Sequence, residues 1–244
     1  MLTGAGIVGV VLSSLRSGPI GSANLGLDAW RRVLADPGFR DAFGFTVWVA
    51  TASTITATIL AVPAALALRG NPQVRAFLAL PIAVPHLVVA SMASLWISPG
   101  GIADRLVGAV PVTLIGDRNG LAVIAVYVWK ELPFLVVLLA VALDRATAEL
   151  EQTAALVGAG PWRRFVDVVL PRIAGPLAGG AMVIAAFVIG AVEVPLVVGP
   201  TRPATLGTYA IDAVRVSGPQ ARADAAVAEI AALMLIGLVG VSTL

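Results

Sequence analysis

Residues 149–171 read ELEQTAALVGAGPWRRFVDVVLP, a stretch that cannot lie in a bilayer and yet is no slack linker. Glu149, Glu151, Arg163, Arg164 and Asp167 would each cost roughly 2.5–3.5 kcal/mol at the middle of a membrane span. Glu149–Val157 is rich in the helix formers Leu, Ala and Glu, and Gly158-Ala159-Gly160 supplies a break. Pro161 suits the first turn of a second helix, Trp162–Leu170, which Pro171 is expected to close. Leu150, Ala154 and Val157 recur at i, i+4 and i+7, and Trp162, Phe165 and Val169 at i, i+3 and i+7. Two short helices cannot cover such faces alone. They must rest on the protein's own spans, as a structured connector, or on a partner, and the spacing leaves both open.

Working outward, the chain has 244 residues, of which 59% are hydrophobic and only 12% charged. Soluble domains carry about 25% charged residues, so this composition is that of an integral membrane protein with a single all-α membrane domain. The pI near 9.7 reflects a net charge of only +2 spread along the chain, which indicates no nucleic-acid patch. The absence of cysteine removes disulfide and thiol chemistry. Lys130 is the only lysine and no GxxxxGK[ST] surrounds it, so the chain has no phosphate-binding loop. With His86 as the only histidine, neither HExxH nor a cysteine-based zinc site can form. No catalysis and no bound metal are expected of this chain.

Leu2–Leu15 is apolar but rises only about 21 Å, so a first span there is expected either to borrow residues beyond Arg16 or to tilt little. Leu27, Trp30 and Leu34 form one helical face in a polar segment suited to the membrane surface. Asp36-Pro37 is a helix-start signal, and Phe43–Leu68 then runs uncharged for 26 residues. Ala76–Ile97 holds Pro81 and Pro85, with His86 directly after. Two roles are open to that ring, a functional site or a bond to a carbonyl freed by proline. Leu121–Leu143 carries Lys130-Glu131 near its middle. Adjacent helical residues point about 100° apart, so these two need other partners, in cross-helix bonding or along a pathway. Ile173–Val198 is glycine-rich and ends near Glu193 and Pro195, and Ala223–Leu244 completes the count.

Leu150-Glu151-Gln152-Thr153-Ala154, then Gly158-Ala159, Phe165 and Leu170-Pro171, resembles the cytoplasmic EAA loop of ABC-importer permeases. That pattern runs Glu-Ala-Ala, a Gly a few residues on, an aromatic and a Leu-Pro. Aligning on Gly158 puts Gln152-Thr153-Ala154 at the triplet, with Glu151 one position early. Pro63–Arg69 is similar to the end of the family's second span, and Trp129–Phe134 to its fourth. The resemblance implies six transmembrane helices of the type I permease architecture, at about residues 2–21, 43–68, 76–97, 120–143, 173–198 and 223–244. It makes the loop at about 144–172 cytoplasmic, which the positive-inside count alone does not decide.

The same resemblance implies an ATPase-coupling role for Glu151, Gln152, Thr153, Ala154, Gly158, Ala159, Trp162, Phe165 and Pro171. It implies a bacterial inner-membrane location, a second permease subunit (the same chain or another), and an extracytoplasmic solute-binding protein. ATP and Mg would be bound by a separate ABC ATPase, leaving no cofactor in this chain. Val84-Pro85-His86 and Glu193-Val194-Pro195-Leu196 look most like the branch handling polyamines, thiamine, ferric iron or phosphonates. His86, Lys130, Glu131 and Glu193 are candidate pathway or bundle polar residues. The alternative is a secondary transporter driven by an ion gradient, with Lys130, Glu131, Glu193 and Glu229 as relay groups.

Overall fold

A computed structural model describes residues 2–16, 25–108, 114–143, 145–215 and 220–241. Among these the chain is helical, with a single isolated bridge between Arg16 and Leu25. In order, the helices are α1 (Leu2–Ser14), α2 (Asp28–Ala35), α3 (Pro37–Ala67), α4 (Pro72–Ala79), α5 (His86–Ile97), α6 (Ile102–Val107), α7 (Leu121–Ala142), α8 (Arg145–Leu156), α9 (Pro161–Arg164), α10 (Leu170–Gly190), α11 (Glu193–Val198), α12 (Leu206–Arg215) and α13 (Ala221–Val241).

Among the described residues, five stretches are long and apolar enough to cross a membrane: Pro37–Ala67, His86–Leu106, Leu121–Ala142, Pro161–Gly190 and Ala221–Val241. The sequence expectation was six, and the difference lies at the start. Helix α1 has 13 residues, about 20 Å, against a hydrocarbon core of about 30 Å. Residues 17–21 of the expected first span and 242–244 of the expected last one lie outside the described residues.

The longest helix begins where its cap demands. The Asp36 carboxylate accepts the Gly38 N–H at 2.9 Å, and Pro37 needs no donor there. Helix α3 then packs along α7 and α10, and its Ala57, Ala61 and Ala65 are all fully buried at a spacing of four. Small side chains at that spacing let helix backbones approach closely, which replaces the hydrophobic drive missing in lipid. At the head of α7, Gly120 has φ +71°, and a Cβ there would stand 2.8 Å from the Phe45 ring. Helix α10 packs against both α3 and α7.

A second, smaller core joins α2, the start of α3, α12 and α13. Helix α2 turns Ala29 and Val33 inward, while Leu27 and Leu34 of the expected face are exposed. Arg32 explains the rotation, since it reaches Asp224 on α13 at 2.8 Å. Thr205 and Thr208 cap α12 reciprocally, each side chain accepting the other's backbone N–H. Thr46 on α3 accepts the Leu206 N–H at 2.8 Å, and the Tyr209 hydroxyl donates to Asp36 at 2.7 Å. Burial, and then that hydrogen bond, raises the Tyr209 phenol well above its usual range, so it remains the donor.

Three expected boundaries are corrected by proline geometry. The expected third span, Ala76–Ile97, is broken: α4 ends at Ala79, a 3₁₀ turn covers Leu80–Ala83, and α5 restarts after Pro85. Val84, directly before Pro85, is forced to extended backbone with ψ 127°. The expected fifth span, Ile173–Val198, ends at Gly190. Ala191 is extended (ψ 143°) four residues before Pro195, whose ring would strike that carbonyl in a continuous helix. Conversely, Pro171 does not close the helix that starts at Pro161. A π-helical turn over Phe165–Val169, in which the Leu170 N–H reaches the Phe165 carbonyl, relaxes the backbone ahead of it, and the helix continues to Gly190.

Candidate functional site

Two groups of residues stand out, one beyond the membrane spans and one within them. Outside, α8 ends in a Schellman turn: the Gly158 N–H donates to Ala155 O at 3.0 Å and the Ala159 N–H to Ala154 O at 2.9 Å. Gly158 adopts φ +86° with open space where a Cβ would be, so its requirement is conformational and not steric. The turn presents an apolar tip to the outside. Leu156 is 88% exposed, Val157 82% and Trp162 74%. Trp162 lies 5.8 Å from Phe165, ring centre to ring centre, and Phe165 and Val169 anchor the second helix on the main core. Leu150, Ala154 and Val157 face Asp167, Val168 and Pro171 across a cleft of about 370 Å³.

The polar members of the loop divide. Gln152 is exposed, whereas Thr153 turns its hydroxyl back to the Glu149 carbonyl at 2.9 Å. Glu151 is half-buried and reaches across the chain to Arg69, just past the end of α3, at 2.8 Å. Sequence reasoning missed Arg69. Its signals were a cation directly after a long uncharged run and its place at the end of the Pro63–Arg69 stretch, neither of which named a partner.

Within the spans, the break before α5 gathers the charges of α7. Lys130, only 5% exposed, donates its Nζ to the Ile82 carbonyl at 3.0 Å, a carbonyl freed by the broken helix. Its neighbour Glu131 instead meets His86, with Oε1 and Nε2 2.7 Å apart. Of the roles open to His86, capping a freed carbonyl is thus taken by Lys130. The His86 ring lies 4.3 Å from Phe187 of α10 and 6.4 Å from Tyr127 of α7, and Tyr127 meets Phe187 edge-on at 6.4 Å. Tyr127 is fully buried with no hydrogen-bond partner for its hydroxyl among the described residues.

Glu193 is not hydrogen-bonded into this cluster. It accepts the Val192 N–H at 3.1 Å in the break before α11, whose helix packs on α5. Tyr127 and Phe187 were not singled out from sequence, although Tyr127 sits one helical turn before Glu131. Among the described residues, no three His, Asp or Glu side chains are placed to hold a metal ion.

A multi-pass helical bundle with two interrupted helices, a buried polar cluster between them and a helical loop projecting from one end is a membrane transport architecture. Residues 54–243 match the family of the binding-protein-dependent transport system inner membrane component, and the chain belongs to it. It is 30% identical over 191 residues to the inner membrane ABC transporter permease protein YnjC of Escherichia coli K12, covering 76% of this chain and 37% of that protein. It is 29% identical over 191 residues to YdcU of the same organism, covering 69% of this chain and 60% of that one. The chain therefore spans between about a third and three fifths of the length of these relatives. A bacterial alginate ABC transporter, solved in complex with an alginate pentasaccharide-bound periplasmic protein, superposes with a TM-score of 0.74 at 17% identity. It covers 96% of this chain and 86% of that one, and shares the fold.

Proposed function

We propose that this chain is the permease subunit of an ATP-driven importer, lining the solute path and coupling it to a separate ATPase. The observation that carries this proposal is the projecting tip of α8 and α9. An exposed Leu156, Val157 and Trp162 on a loop that bears charges and cannot enter lipid calls for a protein partner. In a family defined by dependence on a binding protein, that partner is an ABC ATPase, with Leu156, Val157 and Trp162 seated in its surface. Gly158 and Ala159 set the angle of that face, and Phe165 and Pro171 join it to the long helix ending at Gly190. A second permease subunit closes the path, and an external binding protein delivers the solute. His86, Lys130 and Glu131 hold the interrupted helix before α5 to α7 beside that path, and Glu193 stands at the second break, before α11.

The ion-gradient alternative requires a connected relay. Lys130 bonds to a backbone carbonyl, Glu193 to a backbone N–H, and only Glu131 joins another titratable side chain. Purification tests the proposal: the chain alone should hydrolyse no ATP, while the ATPase should co-purify with it and turn over in the assembly. Hydrolysis by this polypeptide alone, or failure to recover any ATPase subunit with it, would overturn the permease assignment.

A further inference from the structure

Helix α8 is thinly attached. It touches the π turn and α9, while Thr147 is its only fully buried residue among those whose side chains are described. Chain continuity ties it to α7 at one end and, through Gly158, to α9 and α10 at the other. Arg172 of α10 donates to the Thr147 hydroxyl at 3.4 Å, and the Arg69–Glu151 pair adds an attachment to the cytoplasmic end of α3, between residues 82 apart in sequence. Arg69 and Glu151 side chains retain 24% and 21% of their exposure. The Nε and Nη2 of Arg69 lie buried with no acceptor among the described residues, so Glu151 is the charge that holds this guanidinium.

We propose that Arg69 is a positioning residue for α8: its bridge to Glu151 fixes the angle of the projecting helix and passes displacement of that helix to α3 as well as to α7 and α10. Surface ion pairs add little to stability, and here the importance lies in where the two ends are fastened. Helices α3 and α7 pack extensively against each other within the main core, as one unit. A load entering through Glu151 therefore reaches that unit at two points instead of one. The bridge also gives the early carboxylate of this loop its own occupation. Gln152, at the place where the family pattern has Glu, faces outward, while Glu151 turns back to the membrane body.

The part of this inference that concerns coupling rests on the permease proposal, and the test separates the two. The native chain contains no cysteine, so spin labels can be placed at Ala67→Cys and Ala155→Cys, both exposed helix positions. Their distance distribution is measured in the full chain in nanodiscs, with and without co-purified ATPase and MgATP. Arg69→Ala and the milder Glu151→Gln should both broaden the distribution, and the exchange Arg69→Glu with Glu151→Arg should narrow it again. In the assembled complex Arg69→Ala should lower MgATP turnover about fivefold, the low end of a typical coupling between sites, with ATPase recovery unchanged. An unchanged distribution in both single variants overturns the proposal. So does broadening that the exchange does not reverse, since the pair would then not be its cause. If no ATPase accompanies even the native chain, the permease proposal fails, and the distances still decide the bridge.

Discussion

On α3, which packs along α7 and α10, Ala57, Ala61 and Ala65 are fully buried. Along α8, Ala155 is exposed, and so are the apolar side chains that follow, Leu156 and Val157. The same residue type thus does opposite things at the two ends of one molecule. In the bundle, alanine admits a neighbouring helix. In the loop, a short helix of strong formers keeps its shape through a glycine turn and one ion pair, leaving its apolar tip for something else. The bundle is held by packing, and the loop by backbone conformation and charge.

The contrast is broken most forcefully at the packed end. Ala61→Leu inserts a branched side chain where α3 is fully buried in the main core and should cost about 1–3 kcal/mol, seen as a lowered unfolding midpoint in detergent and poor recovery from membranes. A midpoint equal to that of the native chain would mean that the helices are not in close contact there.

Next comes Gly158→Val, which places a β-branched residue at φ +86° at a cost of about 1–2 kcal/mol, confined to the turn. The bundle's midpoint should be unchanged while ATPase recovery and turnover both fall. Loss of the bundle's midpoint in this variant would show that loop and bundle are one cooperative unit.

Smaller still, Glu131→Ala removes the partner of His86 between α5 and α7 and should lower the midpoint by the equivalent of about 0.6–1.7 kcal/mol, the range for hydrogen bonds between membrane helices. His86→Ala should do the same, and the double variant should lose no more than either alone. Additive losses would show that the two side chains act separately. Trp162→Ala should change the midpoint of the isolated chain by no more than about 0.5 kcal/mol, because its ring is mostly exposed. Its effect should appear only as weaker ATPase co-purification, so a variant with normal recovery would leave the tip a plain connector.

What could be read in the sequence follows the same division. The start of α3 was legible because Asp36-Pro37 is a local signal that needs no tertiary partner, and the carboxylate does cap Gly38. The all-helical membrane class was legible in composition. The prolines were not. Pro63 and Pro133 lie inside unbroken helices, Pro85 and Pro195 accompany breaks, and Pro171 is carried through by a π turn. Which outcome prevails depends on what neighbouring helices offer the freed carbonyl, as Lys130 does for Ile82. The adjacency of Lys130 and Glu131 foretold separate partners but could not name them, since the partners lie 48 and 45 residues away. Arg69 was invisible for the same reason: its meaning lies entirely in a residue 82 positions later.

The unbroken run from Pro161 to Gly190 has a mechanical consequence. Thirty helical residues make a rod about 45 Å long, enough to reach from the projecting loop to the far side of the hydrocarbon layer. A tilt of about 10° about one end would sweep the other through about 8 Å, on the geometry of a helix of that length. At one end of this lever stands Trp162; at the other, beyond Gly190, the chain turns sharply to the carboxylate of Glu193. A small rotation of the rod is thereby turned into travel at its far end. The widened turn at Phe165–Val169 lies near the Trp162 end of the rod, where any slack in it would be subtracted from such a tilt.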